Sequence, residues 1–167
     1  MKILLKSTLL ACIAAMMLGL KTAQAAVPEP HIDACLRAAA QYQRLPYELL
    51  KAIARVESSF NPRAVNKFNR NGTEDIGLMQ INSAWLPLLR SYGITRASLF
   101  DPCTNAHVGA WVLAQNVARF GYAVQAVGAY NAGPNGKAST KIAYAKKVID
   151  HYHAYLRESN SQMIAMR

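Results

Sequence analysis

Between Pro46 and Val56 the chain reads P-Y-E-L-L-K-A-I-A-R-V, and its apolar positions fall on one side of a helix. Leu49, Leu50, Ile53 and Ala54 have the i, i+1, i+4, i+5 spacing of a buried stripe. The pattern predicts a helix from Pro46, a favoured first-turn residue, to Ser58, with Pro62 barring its continuation. Glu57 extends the apolar stripe, while Glu48, Lys51, Arg55 and Ser58 take the opposite side. A carboxyl is thus directed toward the core, and a role has to be found for it.

The same reading along the chain predicts further helices. One covers Asp33 to Gln43 after an extended lead-in carrying Pro28 and Pro30. Asn61 to Asp75 is polar and predicts a long loop, with a tight turn at Asn71-Gly72. Gly77 to Asn82 is apolar but too short to assign to helix or strand. Ser83 can cap a helix to about Ser91, ahead of Gly93. Asp101-Pro102, a cap and a first-turn proline, opens a long helix through Arg119 that Gly121 closes. A helix over Tyr122 to Tyr130 and a last one from a Ser139 cap to about Glu158 complete the set, with 159–167 a frayed tail. No run alternates as a strand should, so the fold class expected is mainly α.

Residues 1–25 do not join this pattern. Lys2 and Lys6 precede an apolar stretch from Leu9 to Leu20, and Ala23-Gln24-Ala25 offers small residues for cleavage, as in a secretory signal. The apolar segment is short for a membrane span, so no stable membrane insertion is expected after processing. The domain then covers 26–158. The full chain carries a formal charge of +10, and the part after residue 25 stays strongly basic. Such a field suits an anionic partner. With no arginine-rich run, aromatic ladder or helix-turn-helix signature, nucleic acid is the partner least supported. Cys35 and Cys103 are the cysteines left in an exported chain, and they are expected to form a disulfide. There is no C-x-x-C and no metal-site spacing; His151 and His153, two apart on a helix, face different sides. Neither a metal nor an organic cofactor is indicated.

A carboxyl removed from water resists ionisation, and one still protonated near neutral pH can hand its proton to a leaving oxygen. From periodicity alone, a glutamate satisfied by an arginine or by backbone N–H groups competes with that reading. Three ordered segments bear on the choice: Glu57-Ser58-Ser59-Phe60-Asn61-Pro62, Gly77-Leu78-Met79-Gln80-Ile81-Asn82 and Ala129-Tyr130-Asn131-Ala132-Gly133. Together they resemble the signature blocks of the soluble lytic transglycosylase family, whose fold is lysozyme-like. Leu99 to Asn105 and Gly109 resemble the segment between the second and third blocks, so the likeness spans about Cys35 to Lys147.

The resemblance implies that Glu57 is the catalytic acid, that Gln80 lines the sugar groove, and that Tyr130 approaches the carboxyl with Asn131 beside it. Ser58, Met79 and Asn82 are implied as further substrate-binding positions, although Met79 and Tyr130 could equally fill core and Gln80 could satisfy backbone. The reaction implied is cleavage of the β-1,4 bond of peptidoglycan between N-acetylmuramic acid and N-acetylglucosamine, leaving a 1,6-anhydro end, by a periplasmic carbon–oxygen lyase. A single acid suffices when the attacking hydroxyl belongs to the sugar, whereas hydrolytic glycosidases use a carboxylate pair. The short form with a cysteine pair resembles a branch that accompanies secretion systems, conjugation machines and pili, whose components are the partners implied. Two alternatives stay open: a lysozyme-type hydrolase in which Asp75 positions water, and a non-catalytic peptidoglycan-binding adaptor.

Overall fold

The computed structural model describes residues 28–166. The segment read as a secretory signal lies outside the described residues. Among the described residues six α-helices carry the fold: α1 (Glu29–Gln43), α2 (Tyr47–Ser58), the one-turn α3 (Leu86–Leu89), α4 (Pro102–Phe120), α5 (Val124–Ala132) and α6 (Ala138–Ala165). Three two-residue strands, β1 (Val65–Asn66), β2 (Asp75–Ile76) and β3 (Ile81–Asn82), form an antiparallel sheet in the order β1-β2-β3. The mainly α class and the helices at α2 and α4 agree with the sequence expectation.

Apolar stripes from several helices meet in one core. Leu36 of α1, Leu50 and Ile53 of α2, Leu113 of α4 and Val148 of α6 are all buried, with Leu78 and Met79 from the turn between β2 and β3. α1 packs on α4, α2 on α6, and α5 between α4 and α6. The expected disulfide joins Cys35 of α1 to Cys103 of α4 across 68 residues of sequence, fastening two helices that already share the core.

The local differences have identifiable causes. Pro30 does not keep the lead-in extended; it sits in the first turn of α1, where its missing N–H leaves no bond unmade, and the helix therefore starts at Glu29. The expected helix from Ser83 to Ser91 is instead a 3-10 turn (Ser83–Trp85), then α3, then a second 3-10 turn (Arg90–Tyr92) closed by left-handed Gly93. Its cap is Asn82, whose side chain accepts from the Ala84 N–H, while the Ser83 hydroxyl accepts from the Glu74 N–H. α6 begins at Ala138 without a side-chain cap and continues to Ala165. Residues 159–165, expected as a frayed tail, are thus helical, and the Ser159 hydroxyl donates to Glu48 Oε1 on α2 at 3.2 Å.

Candidate active site

Helix α2 ends abruptly after Glu57, and the ending places the carboxyl. Ser59 and Phe60 both take left-handed backbone angles, φ 52° and 66°. The Ser59 N–H bonds Arg55 O and the Phe60 N–H bonds Ala54 O, one bond nested inside the other, which closes the helix without a glycine. Ser58 fixes the turn from the other side. Its hydroxyl donates to Leu78 O at 2.6 Å and accepts from the Asn61 N–H at 3.0 Å. The end of α2 is thereby tied to the segment Gly77–Gln80, which lies twenty residues further on.

That segment is in turn held by Asn105 of α4, a fully buried side chain. Its Oδ1 accepts from the Met79 N–H at 2.8 Å, and its Nδ2 donates to Ile76 O at 2.8 Å and Leu99 O at 2.7 Å. Two glycines make room for this junction. Gly77 has φ 79°, and a Cβ there would overlap the Asn105 side chain and Leu99 O. On α4, a Cβ at Gly109 would lie 2.5 Å from Met79 Sδ, so the thioether rests directly on helix backbone.

Between this junction and α5 lies a cleft of about 420 Å3 lined by Glu57, Asp75, Gln80, Asn82, Tyr130 and Asn131, among others. Tyr144 of α6 donates from its hydroxyl to Glu57 Oε1 at 2.6 Å. Loss of water raises the Glu57 pKa from its ordinary 4.5 to about 7; the Tyr144 bond opposes this rise and the charge of Asp75 adds to it. Burial prevails, so near neutral pH a large share of the carboxyl keeps its proton. Among the described residues no arginine or lysine pairs with it. The competing reading of Glu57 as an ion-paired core residue therefore has no partner among the described residues.

The other residues singled out in the sequence divide by position. Gln80 lines the cleft in a left-handed conformation, φ 49°, with Nε2 donating to Ala64 O and Gly77 O. Asn82 also lines it, with Nδ2 donating to Asp75 Oδ1 at 2.7 Å and Thr73 Oγ1 at 2.9 Å. Tyr130 faces the cleft, but its hydroxyl donates to Met79 O at 2.9 Å, not to the carboxyl. Its phenol is pushed well above its ordinary range, first by burial and then by the charges of Glu57 and Asp75. Asn131 is exposed on the cleft wall. Met79 is fully buried and Ser58 is engaged with backbone, so both support the cleft without lining it.

Two participants were not singled out in the sequence. Tyr144 lies 87 residues from Glu57, within a helix rich in tyrosine, and only the packing of α6 on α2 selects it. Asn105 could have been found by the argument that exposed Glu57, since it too interrupts an apolar face. Asp75 sits at the cleft with three amide donors on its carboxylate: Asn66 at 3.1 Å, Asn69 at 2.9 Å and Asn82 at 2.7 Å. A candidate metal cluster of His31, Cys35 and Cys103 lies far from this chemistry in function, because both sulfurs are spent in the disulfide.

A mainly helical domain with one carboxyl of raised pKa lining a polar cleft is an arrangement suited to a general acid. Residues 34–153 match the family model "Transglycosylase SLT domain", and the chain belongs to that family. It is 46% identical over 107 residues to the invasion protein IagB of Salmonella typhimurium, covering 63% of this chain and 66% of that one. It is 40% identical over 132 residues to protein IpgF of Shigella flexneri, covering 77% and 84%. Among solved structures it resembles an inactive mutant of the lytic transglycosylase Slt from Pseudomonas aeruginosa, with TM-score 0.62 and 26% identity. That alignment covers 76% of this chain but only 24% of the much longer solved one.

Proposed function

We propose that the protein is a peptidoglycan lytic transglycosylase. Glu57 protonates the glycosidic oxygen between N-acetylmuramic acid and N-acetylglucosamine, and the bond from that oxygen to the anomeric carbon breaks. The resulting carboxylate then takes the proton from the muramoyl C6 hydroxyl as its oxygen bonds the same anomeric carbon. The proton lost in the first step is thus regained in the second, no water is consumed, and the product is a 1,6-anhydro end. The observation that carries this reading is the single carboxyl raised to about 7 inside a polar cleft. Family membership and the likeness to a lytic transglycosylase support it.

The N-terminal pattern read as a secretory signal supports a periplasmic site of action. The branch that the sequence resembles, and the invasion-protein name of the Salmonella relative, support local opening of the wall for a secretion system, conjugation apparatus or pilus. No described helix is long and apolar enough to cross a membrane.

A second reading is favoured by one observation: Asp75 shares the cleft and its charge reaches Glu57. A water held by Asp75 would turn the reaction into hydrolysis. Its three amide donors count against this, since they fill most of the four acceptor sites a carboxylate offers. Mass spectrometry of digested sacculi decides. Anhydro-muropeptides are expected; reducing ends would mean hydrolysis, and binding without release would mean an adaptor.

A further inference from the structure

A second cluster of chemically competent side chains lies away from the cleft, where α1 meets α4. His31, Cys35 and Cys103 offer one imidazole nitrogen and two sulfurs that all lie within 4.8 Å of one another. His31 and Cys35 are four residues apart on α1, so they share one face of that helix. The His31 Nε2 stands 3.9 Å from Cys35 Sγ. Cys103 comes from the first turn of α4, where the helix dipole favours a negatively charged ligand such as a thiolate. Because that third residue belongs to a separate helix, no local spacing announces the set. His31 is exposed, so an ion can reach the cluster from solvent, while Cys35 is buried beneath it.

We propose that the disulfide and a zinc ion are alternative occupants of this one position: the thiol form of the protein binds Zn2+ through His31, Cys35 and Cys103. Two sulfurs and an imidazole are a ligand set that this borderline-soft ion takes. Tetrahedral zinc, with bonds of about 2.3 Å to sulfur and about 2.0 Å to nitrogen, needs its ligand atoms about 3.6–3.8 Å apart. The His31 nitrogen and the Cys35 sulfur, at 3.9 Å, already approach that spacing. The two sulfurs reach it by side-chain rotation once the bond between them is absent, and a fourth position is left for water. The thiol state arises in the newly exported chain before oxidation, and again when a dithiol attacks the bridge. In that exchange the dithiol becomes a disulfide, and its two electrons and two protons pass to Cys35 and Cys103. Metal binding then releases both thiol protons, so the ion and its two thiolates carry no net charge. Zinc thereby holds α1 to α4 while the bridge is open and shields both sulfurs from oxidant.

The test titrates the protein with Zn2+ alone, once oxidised and once reduced by a phosphine and desalted, against a chromophoric chelator. The reduced protein should bind one equivalent, and the oxidised protein none with comparable affinity. The melting temperature of the reduced protein should rise by about 5–10 °C at a hundredfold excess of zinc over its Kd. Co2+ in place of zinc should give thiolate-to-metal charge-transfer absorption and the d–d bands of a tetrahedral site. His31→Ala should weaken zinc binding by more than about tenfold, a loss that even an outer-shell partner can cause. The oxidised form of that variant, melting as the wild type does, is the control for folding. If reduction unfolds the chain, zinc should refold it, as followed by circular dichroism. Equal binding by oxidised and reduced protein, binding that His31→Ala leaves intact, or a reduced chain that zinc neither binds nor refolds would overturn the proposal. The transglycosylase reading stands or falls separately, because the three residues lie outside the cleft.

Discussion

Two helices of this molecule carry a polar side chain on an otherwise apolar stripe. On α4, Asn105 has no surface exposed, and all three of its bonds go to backbone groups of neighbouring segments. On α2, Glu57 receives one hydroxyl bond from Tyr144 and otherwise faces a cleft. The difference lies in the accounting of donors and acceptors. Asn105 is complete and holds a turn in place; Glu57 is left unneutralised, and its raised pKa is the consequence. Burial of a polar residue therefore does not distinguish architecture from chemistry, whereas the number of partners it finds does.

The sharpest way to break the comparison is Glu57→Gln. The amide keeps shape and can still accept from Tyr144, but it has no acidic proton. Release of wall fragments should fall about a thousandfold or more. Stability should move the other way. The folded pKa of about 7 lies above the ordinary 4.5, so the wild type bears no ionisation cost below pH 4.5 and acquires it as pH rises toward 7. Above that range the variant should be more stable by up to about 3 kcal/mol, measured by denaturant unfolding at pH 5 and pH 8. A variant no more stable at pH 8 than at pH 5, relative to wild type, would place Glu57 in water.

Asn105→Ala should give the opposite profile. It strands the Met79 N–H and the Ile76 and Leu99 carbonyls in the core, at a cost of about 3–5 kcal/mol. Activity should be lost only together with folded protein. Replacing Cys35 and Cys103 by serine is expected to lower stability by about 4 kcal/mol on the chain-entropy model, with the product spectrum unchanged because the bridge lies outside the cleft.

The smallest effects concern the two neighbours of Glu57, and they have opposite signs. Tyr144 lowers the carboxyl pKa through its hydrogen bond, so Tyr144→Phe should move the alkaline limb of the pH–rate profile to higher pH. Asp75 raises it by charge, so Asp75→Asn should move that limb to lower pH. Shifts of the same sign in both variants would show that the limb does not report Glu57.

Much of this arrangement was legible in the sequence because it rests on local rules. The stripe from Leu49 to Glu57 and the Asp101-Pro102 cap depend on residues within a turn or two of each other. The small sheet was not legible: β1 and β2 pair Val65 with Ile76 and Asn66 with Asp75, over two residues per strand, too short for any alternation to register. The same holds for Tyr144, chosen by helix packing, and for the reach of α6 past Glu158. In the cleft, the resemblance pointed to Tyr130 as the neighbour of the carboxyl. The fold gives the direct bond to Tyr144 and uses the Tyr130 hydroxyl to hold Met79 O. The three signature blocks meet around one cleft, but the allocation of hydrogen bonds within it is settled only in three dimensions.

The whole account depends on where one proton resides at neutral pH. Carbon-13 NMR titration of the Glu57 carboxyl, assigned by loss of its signal in Glu57→Gln, measures this directly. A midpoint at about 7 is expected; a midpoint near the ordinary 4.5 would contradict a desolvated general acid at this position.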